Sequence, residues 1–540
     1  MSTPTSANDS SVAQPSDLRV AATAVAGLTA VWVLFRLWTG IQLEDALITY
    51  RYACNLAHGL GFVFSPGERV LGTTTPLLTL LLGLAGWLAG CARIPLVADL
   101  VLIPLEAAAL LLTFAALRRL GVERRTALLA LVLLGLHPLL LWTTTGGMET
   151  PLVLFLMALA FHAVAADRPW LAAVGCGLLV LARPDGVLWC AVVGGVFLIR
   201  AVKSGTARRL LGPAGLAIVL VLPWLIFATL YFGSALPHSV VAKRAIVTHL
   251  PVKGVHVLDR PGWFLGSVFL EYPFFDRHFS VGELALWLAA SLAWLAAIGV
   301  ALGALRRREL DPRLWALAAF WLLDVLFLLL GRAPQGFDWY LAPLLWASLV
   351  LGAVGASWAW RRVGGSRARR AALLALTVFV IGVFAEELVR VWPRERAQQE
   401  EENGLRRPAG VWLRNHLPKD ASIAAEAIGY LGYYSRRRVI DLAGLVSPEV
   451  VRIRLASASN GEAFERILRE LRPDAIVLRA FEVERNRHFH GGKLFETPEA
   501  RQYFHRHYLL AARFRGPHPE IWGELGELAI FRRVAVAGED

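Results

Sequence analysis

The fold class is decided near the N-terminus by the apolar run RVAATAVAGLTAVWVLFRLW, residues 19–38. An α-helix rises about 1.5 Å per residue, so a run of this length crosses about 30 Å of hydrocarbon. Further apolar runs follow as far as Val389, and together with the first they predict about eleven transmembrane helices. The stretch Pro76–Cys91 is also apolar but short, so we expect a juxtamembrane or re-entrant helix there.

Composition and charge support a membrane protein. The chain has 540 residues, of which 56% are hydrophobic and 18% charged, and its mean hydropathy is +0.52. A soluble domain is nearer a quarter charged. The net charge of +13 could suit a nucleic-acid partner, but the arginines lie in short clusters between apolar runs. That placement is typical of membrane topology, so we expect contact with membrane lipids and none with nucleic acid.

The basic clusters also predict the orientation. They lie within residues 118–125, 200–209, 306–313 and 361–370. If Pro76–Cys91 does not span, all four fall on the side of the N-terminus, which the positive-inside rule makes cytoplasmic. The loops at residues 39–75 and 233–282, and everything after about residue 390, would then lie outside.

This topology predicts three segments. Residues 1–18 are polar and are expected to form a disordered cytoplasmic tail without a cleaved signal peptide. Residues 19–390 form the transmembrane domain, and residues 391–540 a small α/β domain outside the membrane. The patterns in that domain are helical near residues 411–416 and 464–471 and strand-like near 422–426, 439–442 and 475–478.

Metal-binding and disulfide patterns are weak in this sequence. Three of the four cysteines (Cys91, Cys176 and Cys190) lie in or beside apolar runs, and their spacing predicts neither a disulfide framework nor a metal site. The histidines at positions 488, 490, 505 and 507 have no correctly spaced carboxylate or cysteine to complete a site, so we expect them on a solvated surface.

The first loop carries the clearest chemistry. Its adjacent carboxylates, Glu44 and Asp45, come directly after the first span. A lower dielectric at that boundary raises a carboxyl pKa and favours proton acceptance near neutral pH. The alternative is that the two residues cap a surface helix, because an acidic residue before a helical run is a common N-cap.

The same loop carries a resemblance to a known group. EDALITYRYACNLAHGLGFVFSPGERVLGTTTPL, residues 44–77, resembles the opening loop of bacterial GT-C-type membrane glycosyltransferases. GGMETPL (146–152), ARPDG (182–186), LPHSVVAK (236–243) and IGYLGYYSRRRVIDLAGL (428–445) resemble later segments of that group in the same order, although His238 stands where the group more often has Asn. The chain is most similar to cell-wall arabinofuranosyltransferases, and more distantly to protein O-mannosyltransferases and lipid A aminoarabinose transferases.

The resemblance implies a GT-C-like protein of the bacterial cytoplasmic membrane. Its donor would be a sugar on a polyprenyl phosphate, and its acceptor a glycan, lipid or protein outside the cytoplasm. Asp45, or else Glu44, would be the catalytic base. The candidates for contact with the donor or acceptor are Arg51, Tyr52, Glu68, Glu149, Arg183, Asp185, His238, Lys243, Arg244 and Asp338.

Each candidate has a structural alternative. Arg51 could pair with the neighbouring carboxylates or reach a lipid head group, and Arg183 and Asp185 could form an ion pair with each other. Glu149 and Asp338 could serve as helix caps. The loop residues at 238, 243 and 244 could be solvated charges.

Two other classes of function stay open at this stage. A transporter or flippase of lipid-linked substrates would also use intramembrane charge, although no inverted repeat is visible. A catalytically dead scaffold is the third hypothesis, and the retained Glu44 and Asp45 count against it. No cofactor is indicated beyond a divalent cation as a candidate, since one or two carboxylates could hold one but no full ligand set is seen.

Overall fold

The structure is a computed structural model that describes residues 15–248, 281–330, 338–363 and 367–535. The part of the predicted outer loop at residues 249–280 and the predicted tail at residues 1–14 lie outside this range.

Helices dominate the first three quarters of the chain. They are α1 (Pro15–Thr39), α2 (Glu44–Ala57), α3 (Pro76–Ala89), α4 (Ile94–Arg119), α5 (Arg124–Leu136), α6 (Pro138–Thr145), α7 (Thr150–Ala166), α8 (Pro169–Ala182), α9 (Val187–Lys203), α10 (Leu211–Phe232), α11 (His238–Thr248), α12 (Val281–Arg306), α13 (Trp315–Leu330), α14 (Ala342–Arg362) and α15 (Arg367–Gly404).

The C-terminal part mixes helices with a sheet. Its elements are α16 (Arg406–His416), β1 (Ser422–Ala425), α17 (Ile428–Ser435), β2 (Arg438–Asp441), α18 (Pro448–Leu455), α19 (Asn460–Leu471), β3 (Ala475–Arg479), α20 (Ala480–Glu484), α21 (Pro498–His507), β4 (Tyr508–Arg515), α22 (Pro519–Trp522) and β5 (Glu527–Arg533).

The helices have the length and composition of a multi-pass membrane domain. Among the described residues, eight are long and apolar enough to cross a membrane. The pair α5 and α6, bent by 59° where Pro138 follows His137, forms a ninth if it is one broken span. Three shorter apolar helices are α3, α7 and α8. The predicted number of about eleven is reached if α7 and α8 also cross. As expected, α3 has only 14 residues.

The first helix begins earlier than predicted. It starts at Pro15, and Asp17 on its first turn is buried and forms an ion pair with Arg118 at 2.8 Å. Residues 15–18 therefore belong to the first helix and not to a disordered tail.

The chain divides into two compact units. Unit 1 contains residues 1–37, 99–223 and 256–392, and unit 2 contains residues 38–98, 224–255 and 393–540. The division therefore groups the first loop with the C-terminal α/β segment, whereas the sequence suggested a single boundary near residue 390.

Unit 1 is built around α14. Residues 342–355 of this helix are buried without a break. Two glycines let it approach α12 closely, because a Cβ on Gly352 would lie 2.2 Å from the Trp294 ring and one on Gly355 would lie 1.8 Å from the carbonyl oxygen of Ala297. Small residues at such contacts are how helices pack tightly in membranes.

Unit 2 contains a five-stranded sheet in the order β2-β1-β3-β5-β4. The first three strands are parallel, and β5 and β4 extend the sheet in antiparallel pairing. Alternate side chains face opposite sides. Ile423 and Val477 pack on one side with Phe64 of the first loop, while Ala424 and Ile476 pack on the other with α18, α19 and α21. The predicted C-terminal α/β domain is thus present, and the first loop shares its core.

Candidate functional site

Helix α2 presents the two first-loop carboxylates. Its inward side is buried from Ala46 to Ala53, and its N-cap is Leu43, which provides no side-chain hydrogen bond. Glu44 and Asp45 therefore lie inside the first turn. Neither caps α2, so the alternative that they are merely N-caps of this helix does not hold.

Glu44 caps a different helix. Its carboxylate accepts hydrogen bonds from the backbone N–H groups of Gly429 at 2.5 Å and Tyr430 at 3.0 Å, at the start of α17. Burial raises the pKa of Glu44 to about 7, and Arg406 and the two backbone bonds oppose that rise. Gly429 is required here, since a Cβ would lie 2.0 Å from the Glu44 carbonyl oxygen. Glu44 therefore holds α17 against α2.

Asp45 is the more available carboxylate. Its side chain is partly exposed. Burial raises its pKa, and the positive charge of Lys243 on α11 opposes that shift. Among the described residues, the structure records no hydrogen bond that commits this carboxylate to another helix. A half-buried carboxylate that interacts electrostatically with an ammonium group can accept a proton, and the ammonium group can stabilise a neighbouring anion.

Arg51 holds three segments of unit 2 together. Its Nε donates to the carbonyl of Phe64 at 2.7 Å, and its two Nη groups donate to the carbonyls of Gly432 and Arg437. The side chain is 4% exposed, and burial lowers its pKa to about 9. Three of the five N–H groups of Arg51 thus donate to backbone carbonyls, and its contact with a donor phosphate stays a prediction.

Tyr52 and Glu68 also have structural partners. The Tyr52 hydroxyl donates to the carbonyl of Val70 at 2.7 Å and accepts from the N–H of Gly72 at 2.9 Å, with the side chain fully buried. Glu68 pairs with Arg438 at 2.5 Å near the surface. Both side chains therefore have structural partners, and their contacts with a donor or acceptor stay predictions.

The loop around α11 places His238 and Lys243 in unit 2 with Asp45. The His238 N–H donates to the carbonyl of Leu71 at 2.7 Å, which joins α11 to the first loop. Its ring Nε2 is buried without a hydrogen-bond partner among the described residues, and burial lowers its pKa. The side chain of Arg244 lies outside the described residues.

The remaining candidates lie in unit 1. Arg183 forms a two-point ion pair with Asp185, at 2.7 and 2.6 Å. Its Nη1 donates to the carbonyl of Trp339 at 3.1 Å and lies 3.9 Å from Glu149. The pairing of Arg183 with Asp185 is the structural alternative that the sequence analysis gave for these two residues. Glu149 is the N-cap residue of α7 but makes no side-chain cap bond. Asp338 begins a short 3-10 helix, and its side chain lies outside the described residues.

A disulfide between Cys54 and Cys91 joins α2 to the turn after α3. The spacing of the cysteines in the sequence does not by itself predict this bond. The two residues are 37 positions apart, and only the packing of α3 on α2 brings them together. Together with His58, the two cysteines form the one group of potential metal ligands that lie close enough together among the described residues. Because the two sulfurs are bonded to each other, they offer no thiolates to a metal.

The most informative sequence signal for this site lay in residues 428–445. This segment was noted for its resemblance but not for its partners. The Tyr430 hydroxyl of α17 donates to the carbonyl of Gln42 at 2.9 Å and accepts from the side-chain amide of Gln399 at 3.1 Å. The segment is thus the surface on which the start of α2 rests.

Solved structures share this architecture. ArnT from Cupriavidus metallidurans bound to undecaprenyl phosphate aligns with a TM-score of 0.58 at 13% identity, covering 96% of this chain and 99% of that one. The same protein in the apo state aligns with a TM-score of 0.52 at 13% identity, covering 96% and 100%. The chain has the GT-C fold of ArnT. The expected fold class, a polytopic GT-C-like membrane protein with a small C-terminal α/β domain, is confirmed, and the chain is a multi-pass membrane protein.

Sequence comparison points to the same group. The terminal beta-(1->2)-arabinofuranosyltransferase of Mycobacterium tuberculosis is 32% identical over 244 residues, which cover 40% of this chain. The chain spans 38% of the length of that curated relative. Residues 392–531, the α/β part of this chain, match a family described as Domain of unknown function (DUF8728).

Proposed function

We propose that this chain is a glycosyltransferase that moves a sugar from a polyprenyl-phosphate donor to a glycan, lipid or protein acceptor outside the cytoplasm. The observation that carries the proposal is the position of Asp45, a partly exposed carboxylate that interacts electrostatically with Lys243 in a GT-C fold. The undecaprenyl phosphate of the ArnT structure and the activity named for the arabinofuranosyltransferase support the choice of donor.

The proposed reaction is a single displacement. The Asp45 carboxylate takes the proton of an acceptor hydroxyl, and the acceptor oxygen forms a bond to the anomeric carbon. The bond from that carbon to the phosphate oxygen breaks, and the polyprenyl phosphate leaves with the electron pair. Lys243 stabilises the phosphate as its negative charge grows. Glu44 fixes the start of α2 through α17 and is a positioning residue.

The proposed orientation places the N-terminus in the cytoplasm and the first loop and α/β domain outside. The disulfide between Cys54 and Cys91 supports it, because disulfides form in oxidising compartments and are rare in the cytosol. The four arginine clusters support it independently. A divalent cation at the carboxylates stays a candidate cofactor, to be tested by chelation.

The test measures consumption of polyprenyl-phosphate pentoses and hexoses by the purified chain and by Asp45→Asn and Glu44→Gln. Asp420→Asn, at an exposed position of the α/β domain, is the matched control. We expect transfer by the wild type and the control and its loss in Asp45→Asn, with donor binding retained. Movement of lipid-linked sugars across vesicles without any consumption would instead support a transporter.

A further inference from the structure

A cavity opens in unit 1 where α4 and α7 end and α8 begins. Its wall includes Arg119, His162, Asp167, Arg168 and Trp170, and we call it the Arg168 cavity. The space that the centres of water molecules can reach is about 660 Å³. Sites for small ligands have about 300–1,000 Å³, so this cavity has room for a ligand.

The wall of the Arg168 cavity carries an excess of positive charge. Arg119 is partly buried and Arg168 is exposed, and neither side chain forms an ion pair or a hydrogen bond within the described part of the chain. Asp167 on the same wall is already paired with Arg200, at 3.1 Å between Oδ1 and Nη1. Two guanidinium groups therefore stay available at the cavity.

Local structure holds the two arginines at the cavity. Arg119 is the last residue of α4 and interacts electrostatically with His162 of α7. Only two residues join α7 to α8, and the first of them, Asp167, has the left-handed φ of 54° that a tight turn requires. The second is Arg168, whose backbone N–H donates to the carbonyl of Ala163 at 2.9 Å and so closes the end of α7.

Trp170 indicates that the cavity lies at the depth of lipid head groups. Its side chain is 56% exposed at the start of α8, and tryptophans are enriched at the boundary between membrane and water. The indole ring packs on the start of α10, where a Cβ on Gly212 would lie 2.7 Å from a ring carbon. The neighbouring Leu211 is 72% exposed. An apolar surface thus continues beside the charged cavity.

These features define the chemistry of the ligand. A cation would be repelled by two arginines, and a neutral ligand would leave both charges unpaired. A phosphate group suits them, because a guanidinium group can donate two parallel hydrogen bonds to phosphate oxygens. A soluble phosphate would make no use of the apolar surface, whereas a phospholipid places its acyl chains there. Basic pockets between membrane helices are known to bind anionic head groups.

We infer that the Arg168 cavity binds the phosphate head group of an anionic membrane phospholipid. Arg119 and Arg168 donate hydrogen bonds to the phosphate oxygens, and the acyl chains lie along the surface beside Trp170 and Leu211. The orientation proposed above places the site in the cytoplasmic leaflet. The inference does not depend on the transfer reaction, since the cavity belongs to unit 1 and Asp45 to unit 2.

The test measures binding of phosphatidylglycerol to the purified full chain in detergent micelles by native mass spectrometry, with phosphatidylcholine as the zwitterionic comparison. The variants are Arg119→Gln, Arg168→Gln and the double variant. The matched control is Arg306→Gln at the exposed end of α12, which removes the same charge on the same side of the predicted topology. We expect affinity to fall about fivefold in each single variant, about 25-fold in the double variant and less than about twofold in the control.

A second measurement keeps the test decisive if a variant folds poorly. A ligand that binds only the folded chain stabilises it, so nanodiscs of phosphatidylglycerol should give the wild type a higher Tm than nanodiscs of phosphatidylcholine. The double variant should lose most of that difference. Equal affinity of the wild type for the two lipids, or the same loss of affinity in Arg306→Gln, would overturn the inference. Displacement of phosphatidylglycerol by millimolar inorganic phosphate would also overturn it, because the ligand would then be a soluble phosphate.

Discussion

The carboxylate of Glu44 accepts a 3.0 Å hydrogen bond from the backbone N–H of Tyr430, 386 residues further along the chain. This contact joins the first turn of α2 to the first turn of α17. It also separates the roles of two adjacent carboxylates, because Asp45 on the next position interacts electrostatically with Lys243 instead.

Exchange of Asp45 for Asn should lower kcat without unfolding the protein. Loss of a general base costs about 10²–10⁴ in rate. Glu44→Gln should keep measurable turnover, because Glu44 positions α17 and does not take the proton of the acceptor. Rates and thermal unfolding of both variants in the same detergent check this. If Asp45→Asn and Glu44→Gln lost the same factor in rate and were equally stable, the assignment of Asp45 as base and Glu44 as positioning residue would be contradicted.

The rate of sugar transfer should fall at acidic pH, because Asp45 takes up a proton there and can no longer act as a base. Burial raises the pKa of Asp45 above its ordinary value of 3.8, so the base is lost at a higher pH than for an exposed Asp. Removal of the opposing charge by Lys243→Gln should raise that pKa further and move the acid limb of kcat/KM to higher pH. A pH profile that does not move in this variant would contradict the pairing.

Ionisation of Glu44 should destabilise the fold. Its pKa rises from 4.5 to about 7 on folding, so between these values the folded chain holds a proton that the unfolded chain has lost. Stability conferred by the protonated group is complete below about pH 4.5, falls as the pH rises to about 7, and stays low above that. The effect should be about 1–3 kcal/mol.

The measurement for Glu44 is the difference in unfolding free energy between the wild type and Glu44→Gln across that range. The comparison cancels titrations that the two proteins share. The wild type should lose stability relative to the variant from pH 5 to pH 7. A difference that is constant with pH would show that Glu44 does not carry the proton.

Replacement of Arg51 by Lys should destabilise unit 2. A lysine cannot donate at once to the carbonyls of Phe64, Gly432 and Arg437. Each unmet buried carbonyl costs about 1–3 kcal/mol. Arg438→Lys, at an exposed ion pair, is the control and should change stability by less than about 1 kcal/mol. If Arg51→Lys folded normally but lost donor affinity, the predicted contact of Arg51 with the donor phosphate would be supported and its structural role contradicted.

Reduction of the bond between Cys54 and Cys91 should also lower stability. A cross-link across 37 residues restricts the unfolded chain by about 4 kcal/mol. Cys54→Ser should show the loss without reductant, while Cys176→Ser, at a free cysteine, should not. Thiol labelling in intact cells checks the orientation, since Cys54 and Cys91 should react with an impermeant reagent only after reduction. Labelling without reduction would contradict the disulfide.

Much of the fold was readable from the sequence. The apolar runs predicted a multi-pass helical protein, because a bilayer admits only long apolar helices or closed barrels. The strand-like patterns at residues 422–426, 439–442 and 475–478 match β1, β2 and β3. Strand β4 was missed since it lies at the sheet edge, where most of its side chains are exposed and carry no alternation.

The local sequence pattern also indicated the first loop as a candidate site, but it could not predict which residues its side chains contact. Arg51 was a candidate phosphate ligand, and only the packing of α17 against α2 shows that three of its N–H groups donate to backbone carbonyls. Cys54 and Cys91 meet because α3 lies on α2. The periodicity of the sequence determines which residues are buried. The partner of a buried charge lies in a segment hundreds of residues away, and only the tertiary fold brings that segment within hydrogen-bond distance.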